Sequence, residues 1–427
     1  MKQLHQTTSL LLLLLSGWFA PSSLLAALQP VIPRLKGSGV GSNVNGYGTD
    51  VQVLGNLAFL AWKQGSGGDT NYPGGLEIFS IKNPTTPLRL GGYQSRAPVN
   101  AIKVVGTYAC LAEGATRTLT NDPGVLEIID VSDPTVPVRL ADVNLLSRAN
   151  DMRVSGAFAY VAEARRWTGT NLLGTLEIFD ISAATNPIRV AVFDTAGSIT
   201  SIDVSGDFAY LADGVTDLQV LDVTNPGNPR RVGVFNSDPA HNACGFEPGA
   251  PATFVQVVDN LAYSAGDNGL HVLDITNPSH PVSIGDNFCF PIYGFHAAGH
   301  FAYTLIWHSQ LNTMFLHVAD TTNPANLLTV GLKENWGAGP MLVVDNLIYV
   351  ANIPLLVYEI FDRPAITSFS MKKGSLFLTW DFAPGYMLQR TPSLIDPLWS
   401  TVLDSAGNTS IWLPMTGGDE FFRLATP

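Results

Sequence analysis

Residues 126–134 read LEIIDVSDP, and close variants stand at 76–84 (LEIFSIKNP), 176–187 (LEIFDISAATNP), 218–226 (LQVLDVTNP), 270–278 (LHVLDITNP) and 316–324 (LHVADTTNP). Ahead of each lies a second phrase, which recurs once more near the end: GNLAFLA at 55, GTYACLA at 106, GAFAYVA at 156, GDFAYLA at 206, DNLAYSA at 259, GHFAYTL at 299 and DNLIYVA at 345. Successive copies start 51, 50, 50, 53, 40 and 46 residues apart, so the chain holds seven units. Short β-branched and aromatic runs, punctuated by Gly and Asx-Pro at this period, are the pattern of four-stranded sheets set radially around an axis. The fold class is all-β, a seven-bladed β-propeller.

Within a unit the order is an inner strand such as AIKVV, a second such as YACLA, a third such as LEIID and an outer one such as VRLADV. The Asx-Pro step turns the third strand into the fourth, because proline lacks an N–H and the preceding Asn or Asp can bond its own backbone. Asp130, Asp180, Asp222 and Asp274 accordingly read as turn-stabilising acids. The seventh unit stops at LLVYEIF (355–361) without an outer strand, while VIPRLKG (31–37) is similar to the outer strands TPLRLGG and VPVRLAD. The N-terminal segment is expected to complete the last blade and so remove the exposed sheet edge of an open ring.

Lys2, the apolar run Leu10–Leu15 continuing through Trp18 and Phe19, and small residues up to Ala27 have the layout of a cleavable signal peptide over 1–27. The run is too short and too interrupted for a transmembrane anchor, and no cysteine stands beside it to accept a lipid. The expected location is exported: periplasmic, cell-surface or extracellular. The propeller is expected over 28–363. Beyond Pro364 the period ends, and ITSFSM, SLFLTW, YMLQR, SIWLP and FFRLA predict a small β-sandwich module over 364–427, with Trp380, Trp399, Trp412, Phe421 and Phe422 as its core.

The repeat phrases resemble the LVIVD-repeat family of bacterial, surface-located propellers over roughly residues 30 to 363. The resemblance implies the fold and no particular activity. LTW, GYMLQRTPSL, PLW and FFRL are similar to a C-terminal module found on exported bacterial proteins, which points to attachment, sorting or adhesion.

A net charge of −12, or −13 once Lys2 leaves with the leader, repels nucleic-acid phosphates and anionic membranes. Three cysteines, Cys110, Cys244 and Cys289, permit at most one bridge. Cys244 in HNACGFEPG and Cys289 in NFCFPIYG occupy corresponding loops of neighbouring units and are a possible disulfide, whereas Cys110 falls inside a strand. His241 and His296 near those thiols match no established zinc spacing. Glu113, Glu163, Asp213 and Asp267 follow the second strand on separate blades, so no metal site is assigned, and no cofactor motif is present.

Candidate binding residues come from aligning the units. Thr49, Asn100, Asn150, Thr200, Thr253 and Tyr293 occupy equivalent places at the start of the inner strands, where a polar ring would surround the channel mouth and hold a small solute or ordered water. Long loops at 62–75, 113–125, 163–174, 236–252 and 285–293 fall on that same face, and bring Trp62, Trp167 and His296 to it. Rigid repetition without G-x-S-x-G, HExxH or P-loop motifs favours a binding or scaffold protein that engages a protein or glycan through the loop-rich face. The alternatives are a hydrolase or lyase at the channel mouth and a structural envelope protein located by its C-terminal module.

Overall fold

Gly55, Gly106, Gly156, Gly206 and Gly299 sit at φ near +58°, with Asp259 and Asp345 at 54° in the same place of the two other units. Left-handed backbone at this point is what a tight two-residue hairpin demands, and it joins the inner strand of every unit to the second. The structure is a computed structural model that describes residues 12–13, 31–39, 46–64, 74–114, 123–236, 252–267, 269–287, 291–299, 301–308, 313–334, 339–352, 354–362, 366–372, 375–380, 387–391, 400–402, 410–414 and 421–425.

Seven antiparallel four-stranded sheets follow one another along the chain. Blade 1 contains Gly46–Leu54, Leu57–Gln64, Gly74–Ser80 and Leu88–Ser95, and blade 2 contains Val99–Val105, Tyr108–Glu113, Val125–Asp130 and Val138–Asn144. Blade 3 runs over Ala149–Ser155, Phe158–Trp167, Leu172–Asp180 and Ile188–Thr195, and blade 4 over Ser201–Ser205, Phe208–Ala212, Leu218–Asp222 and Arg230–Phe235. Blade 5 is Ala252–Val258, Leu261–Gly266, Gly269–Asp274 and Val282–Asn287, and blade 6 is Ile292–Ala298, Phe301–His308, Thr313–Asp320 and Leu328–Glu334. Blade 7 takes Met341–Val344, Leu347–Val350 and Leu355–Asp362 from the end of the repeat region and Val31–Gly39 as its outermost strand. The N-terminal strand therefore closes the ring.

Second and third strands are buried on both faces, as in LAFLA and LEIF, because each blade is covered by a neighbour on either side. Phe59, Leu76 and Ile78 of blade 1 pack on Val99, Ile102 and Leu111 of blade 2, and comparable clusters join blades 2 to 3, 3 to 4, 4 to 5 and 5 to 6. Val51, Leu60 and Phe79 of blade 1 pack on Tyr349, Leu355 and Val357 of blade 7, which joins the ends of the ring. Alternating Ala with a large residue, as in Ala159-Tyr160-Val161-Ala162, lets adjacent sheets approach closely, and all four side chains are buried.

The Asx-Pro turns are built as the sequence implies. Asp130, Asp180, Asp222, Asp274 and Asp320 each accept the backbone N–H two residues on, at 2.8–2.9 Å. These bonds hold the carboxyls of Asp130, Asp180, Asp222 and Asp274 below the usual range.

Beyond the ring, Ile366–Lys372, Ser375–Trp380 and Ser410–Pro414 form one sheet, and Met387–Thr391, Ser400–Thr401 and Phe421–Ala425 another, which Leu12–Leu13 joins at Phe421–Phe422. Contacts divide the chain into two compact units, one of them residues 33–327 with 333–360 and the other gathering 1–32, 328–332 and 361–427. Among the described residues no helix is long and apolar enough to cross a membrane.

Candidate functional site

An inner strand is an edge strand: it pairs with the second strand on one side and turns a row of N–H and C=O groups toward the axis on the other. Those groups need partners, and the side chains of the inner strands supply them. The channel encloses about 380 Å³ and is lined from all seven blades, from Thr49 in blade 1 to Leu342 in blade 7.

The residues aligned at the channel mouth differ in what they bond. Thr49 Oγ1 donates to Val99 O at 2.6 Å, Asn100 Nδ2 to Ala149 O at 2.7 Å, Asn150 Nδ2 to Ile199 O at 2.8 Å and Thr200 Oγ1 to Ala252 O at 3.4 Å. The first three bonds run from one blade to the start of the next, whereas the Thr200 hydroxyl has a nearer acceptor within its own blade, Ala212 O at 3.1 Å. Thr253 instead donates to Ala265 O within its own blade at 3.4 Å, and Tyr293 is exposed. Thr49, Asn100, Asn150, Thr200, Tyr293 and His296 all line the cavity.

Two deeper rings lie behind it, one and three residues further along each inner strand. Asp50 accepts the N–H of Ile102 at 3.0 Å and pairs with Lys103 at 3.1 Å. Asp151 accepts from Ile202 N at 3.1 Å and from Ser201 Oγ at 3.0 Å, and Asp203 accepts from Val257 N at 2.7 Å. Arg153 bridges both acids, through Nη1 to Asp151 at 2.9 Å and through Nε to Asp203 at 3.1 Å. Gln256 holds Ala297 by both its backbone groups at 2.8 Å. These positions lie outside the mouth ring that the aligned units predict. Their signal is the same alignment shifted by three, which gives Gln52, Lys103, Arg153, Asp203, Gln256 and His296 in consecutive blades.

Burial would raise the Asp151 carboxyl, but Arg153, Lys103 and the N–H groups of Ile202 and Met152 hold it below its ordinary value. His296 is pushed down to about 4, first by burial and then by the charge of Arg153, although its bond to the Val343 backbone works the other way. It is a neutral imidazole at pH 7.

The remaining predicted residues divide by position. Trp62 is only 5% exposed, its ring lies against Gly75, and its indole N–H meets no acceptor among the described residues. Trp167, at the end of the second strand of blade 3, is 50% exposed. Where Trp62 stands in blade 1, blades 2 and 3 carry Glu113 and Glu163, fully buried beside Glu127 and Glu177 of the third strand. Burial and the neighbouring acid push Glu113 up to about 10 and Glu163 up to about 11, so each pair keeps a proton at neutral pH. Asp213 is also buried, and accepts from the N–H groups of Val215 and Thr216 at 3.1 and 2.7 Å. Among the described residues no three His, Cys, Asp or Glu side chains converge as metal ligands. Cys244, Cys289 and His241 lie outside the described residues, and Cys110 is a buried free thiol raised by burial to about 12.

The family description LVIVD repeat matches residues 98–144, 147–195, 196–237 and 250–286, which are blades 2 to 5. No curated protein matches the chain in sequence. Among solved structures, Sqt1 from Chaetomium thermophilum is similar at 10% identity and a TM-score of 0.52, over 81% of this chain and 97% of that one. The computationally designed Ika8 protein is similar at 11% identity and a TM-score of 0.48, over 76% and 99%. At these identities the likeness concerns fold alone. The chain is a seven-bladed β-propeller that carries LVIVD repeats in blades 2 to 5.

Proposed function

We propose that the chain is an exported binding scaffold that engages a protein or a glycan through the face where second strands end and inner strands begin. The observation that carries this reading is the placement of exposed aromatics. Of the five aromatic side chains that are well exposed among the described residues, Tyr47, Trp167, Tyr293 and Trp307 stand on that face and Tyr108 on the opposite one. Exposed Trp and Tyr supply large contact area with a polar handle, and they are the anchors that protein and sugar ligands use. Export is supported by the leader-like composition of residues 1–27.

Thr49, Asn100 and Asn150 at the channel mouth are engaged in bonds between blades, which weighs against a hydrolase or lyase there. The test is a glycan array and a cell-envelope pull-down with the full chain, repeated with Trp167→Ala combined with Trp307→Ala. Bound partners should fall at least tenfold in occupancy while the melting temperature stays within about 2 °C, since exposed substitutions cost little stability. Unchanged capture by the double variant would overturn the reading.

A further inference from the structure

The channel has its own unspent chemistry, separate from the aromatic face. All six oxygens of Asp50, Asp151 and Asp203 already accept a hydrogen bond, most of them from backbone N–H groups. Both ends of the Gln256 amide are occupied as well. The donors are in surplus. Among the described residues Lys103 Nζ gives one hydrogen bond, to Asp50, which leaves two N–H groups. Arg153 uses Nε on Asp203 and Nη1 on Asp151 and the Met152 carbonyl, which leaves Nη2 unengaged among the described residues. Both side chains are withdrawn from solvent, at 14% and 26% exposure, and both line the cavity.

The wall opposite is different in kind. Blades 2 and 3, which carry the two cations, stand across a seven-membered ring from blade 6. Phe254, Phe295, Met341 and Leu342 of blades 5 to 7 border the same space, the two phenylalanines while packed against the core between blades 5 and 6 and Leu342 against that between blades 7 and 1. The cavity thus has cationic donors on one side and apolar carbon on the other, with acceptors mostly consumed. Its volume of about 380 Å³ falls at the lower end of small-molecule sites.

We propose that the channel binds a small organic carboxylate, with its anionic head on Lys103 and Arg153 and its apolar body against Phe254, Phe295, Met341 and Leu342. The three aspartates outnumber the two cations by one charge, and the fixed N–H dipoles that each of the three carboxylates accepts limit their repulsion of such a ligand. Charge on the outer surface, though negative in sum, is screened within about 10 Å at ordinary salt. His296 lies within reach of both cations, so an anion seated on them should make its protonation easier.

The test is calorimetric titration of the full chain at pH 7 with phenylacetate, its neutral analogue phenylacetamide, and inorganic phosphate. Phenylacetate should bind about tenfold or more tighter than either comparator, because one lacks the charge and the other the apolar body. Lys103→Met should weaken phenylacetate by about tenfold. Leu342→Trp, outside the polar network, should abolish binding by filling the space, and melting curves check that both variants are folded. In NMR titrations the His296 imidazole should protonate at higher pH with phenylacetate bound. The proposal is overturned if phenylacetate does not bind, if phenylacetamide or phosphate binds as tightly, or if both folded variants bind like the parent.

Discussion

Gln256 shows what the channel residues do one at a time. Its amide reaches from blade 5 and pairs with both the N–H and the carbonyl of Ala297 in blade 6 at 2.8 Å. Without it, two backbone groups on an inner edge strand would face a narrow, partly dry channel. Truncation by Gln256→Ala should therefore cost about 1–3 kcal/mol, the penalty for leaving such groups unpaired. Urea unfolding of parent and variant measures it, and a cost under about 0.5 kcal/mol would mean that water replaces the amide fully. The first ring was legible in the sequence, because Thr49, Asn100, Asn150 and Thr200 repeat at one position. Its role was not. Direction decides between solute binding and blade-to-blade bonding, and the direction of an edge side chain depends on the angle between neighbouring sheets, which no single repeat encodes. The pairing of Arg153 with two acids 2 and 50 residues away is illegible for the same reason.

Between elements the informative feature is the linker that carries the chain from the outer strand of one blade to the inner strand of the next. Under the linker at 96–98 sit Glu113 and Glu127, and under that at 145–148 sit Glu163 and Glu177, where Leu146 N donates to Glu177 at 2.5 Å. Arg139 and Arg189 of the outer strands pair with the second acid of each couple. A carboxyl that stays protonated when folded but ionises when unfolded lowers stability as pH rises between its two pKa values. For Glu113 that window runs from the ordinary value of 4.5 to about 10. The parent should lose stability steadily from pH 5 to pH 9. Glu113→Gln, which is neutral throughout, should flatten the profile by up to about 1.4 kcal/mol per pH unit. Denaturant midpoints at pH 6, 7 and 8 decide it, and parallel profiles would mean that the acid is ionised in the folded protein. In the sequence Glu113 and Glu163 follow the second strand on separate blades, with nothing to mark a partner. Only the diagonal approach of the third-strand glutamates, set by strand register, reveals pairs buried beneath the linkers.

At the scale of the molecule, a ring is stable only if its last blade is joined to its first, and the repeat count makes this legible in the sequence. Seven second-strand phrases accompany only six third-strand phrases of the LEIIDVSDP kind, and the missing outer strand had one candidate at 31–37. What the sequence could not supply was the packing that makes closure cooperative. Val51, Leu60 and Phe79 of blade 1 share one apolar cluster with Tyr349, Leu355 and Val357 of blade 7, and Val31–Gly39 pairs with Leu355–Asp362 at the outside of that blade. Removal of residues 28–40 would expose the edge of Leu355–Asp362 and loosen the wall against which blade 1 packs. Damage confined to blade 7 would then spread, because each blade buries its faces against its neighbours. The deleted chain should melt at least about 10 °C below the parent, since a whole strand is worth several kcal/mol and about 1 kcal/mol moves a domain of this size by a few degrees. It should also aggregate through the exposed edge. A synthetic peptide of residues 28–40 added in excess should recover part of the loss by taking its place in the sheet. An unchanged melting temperature in the deleted chain would show instead that blades 1 and 7 hold each other through side-chain packing alone.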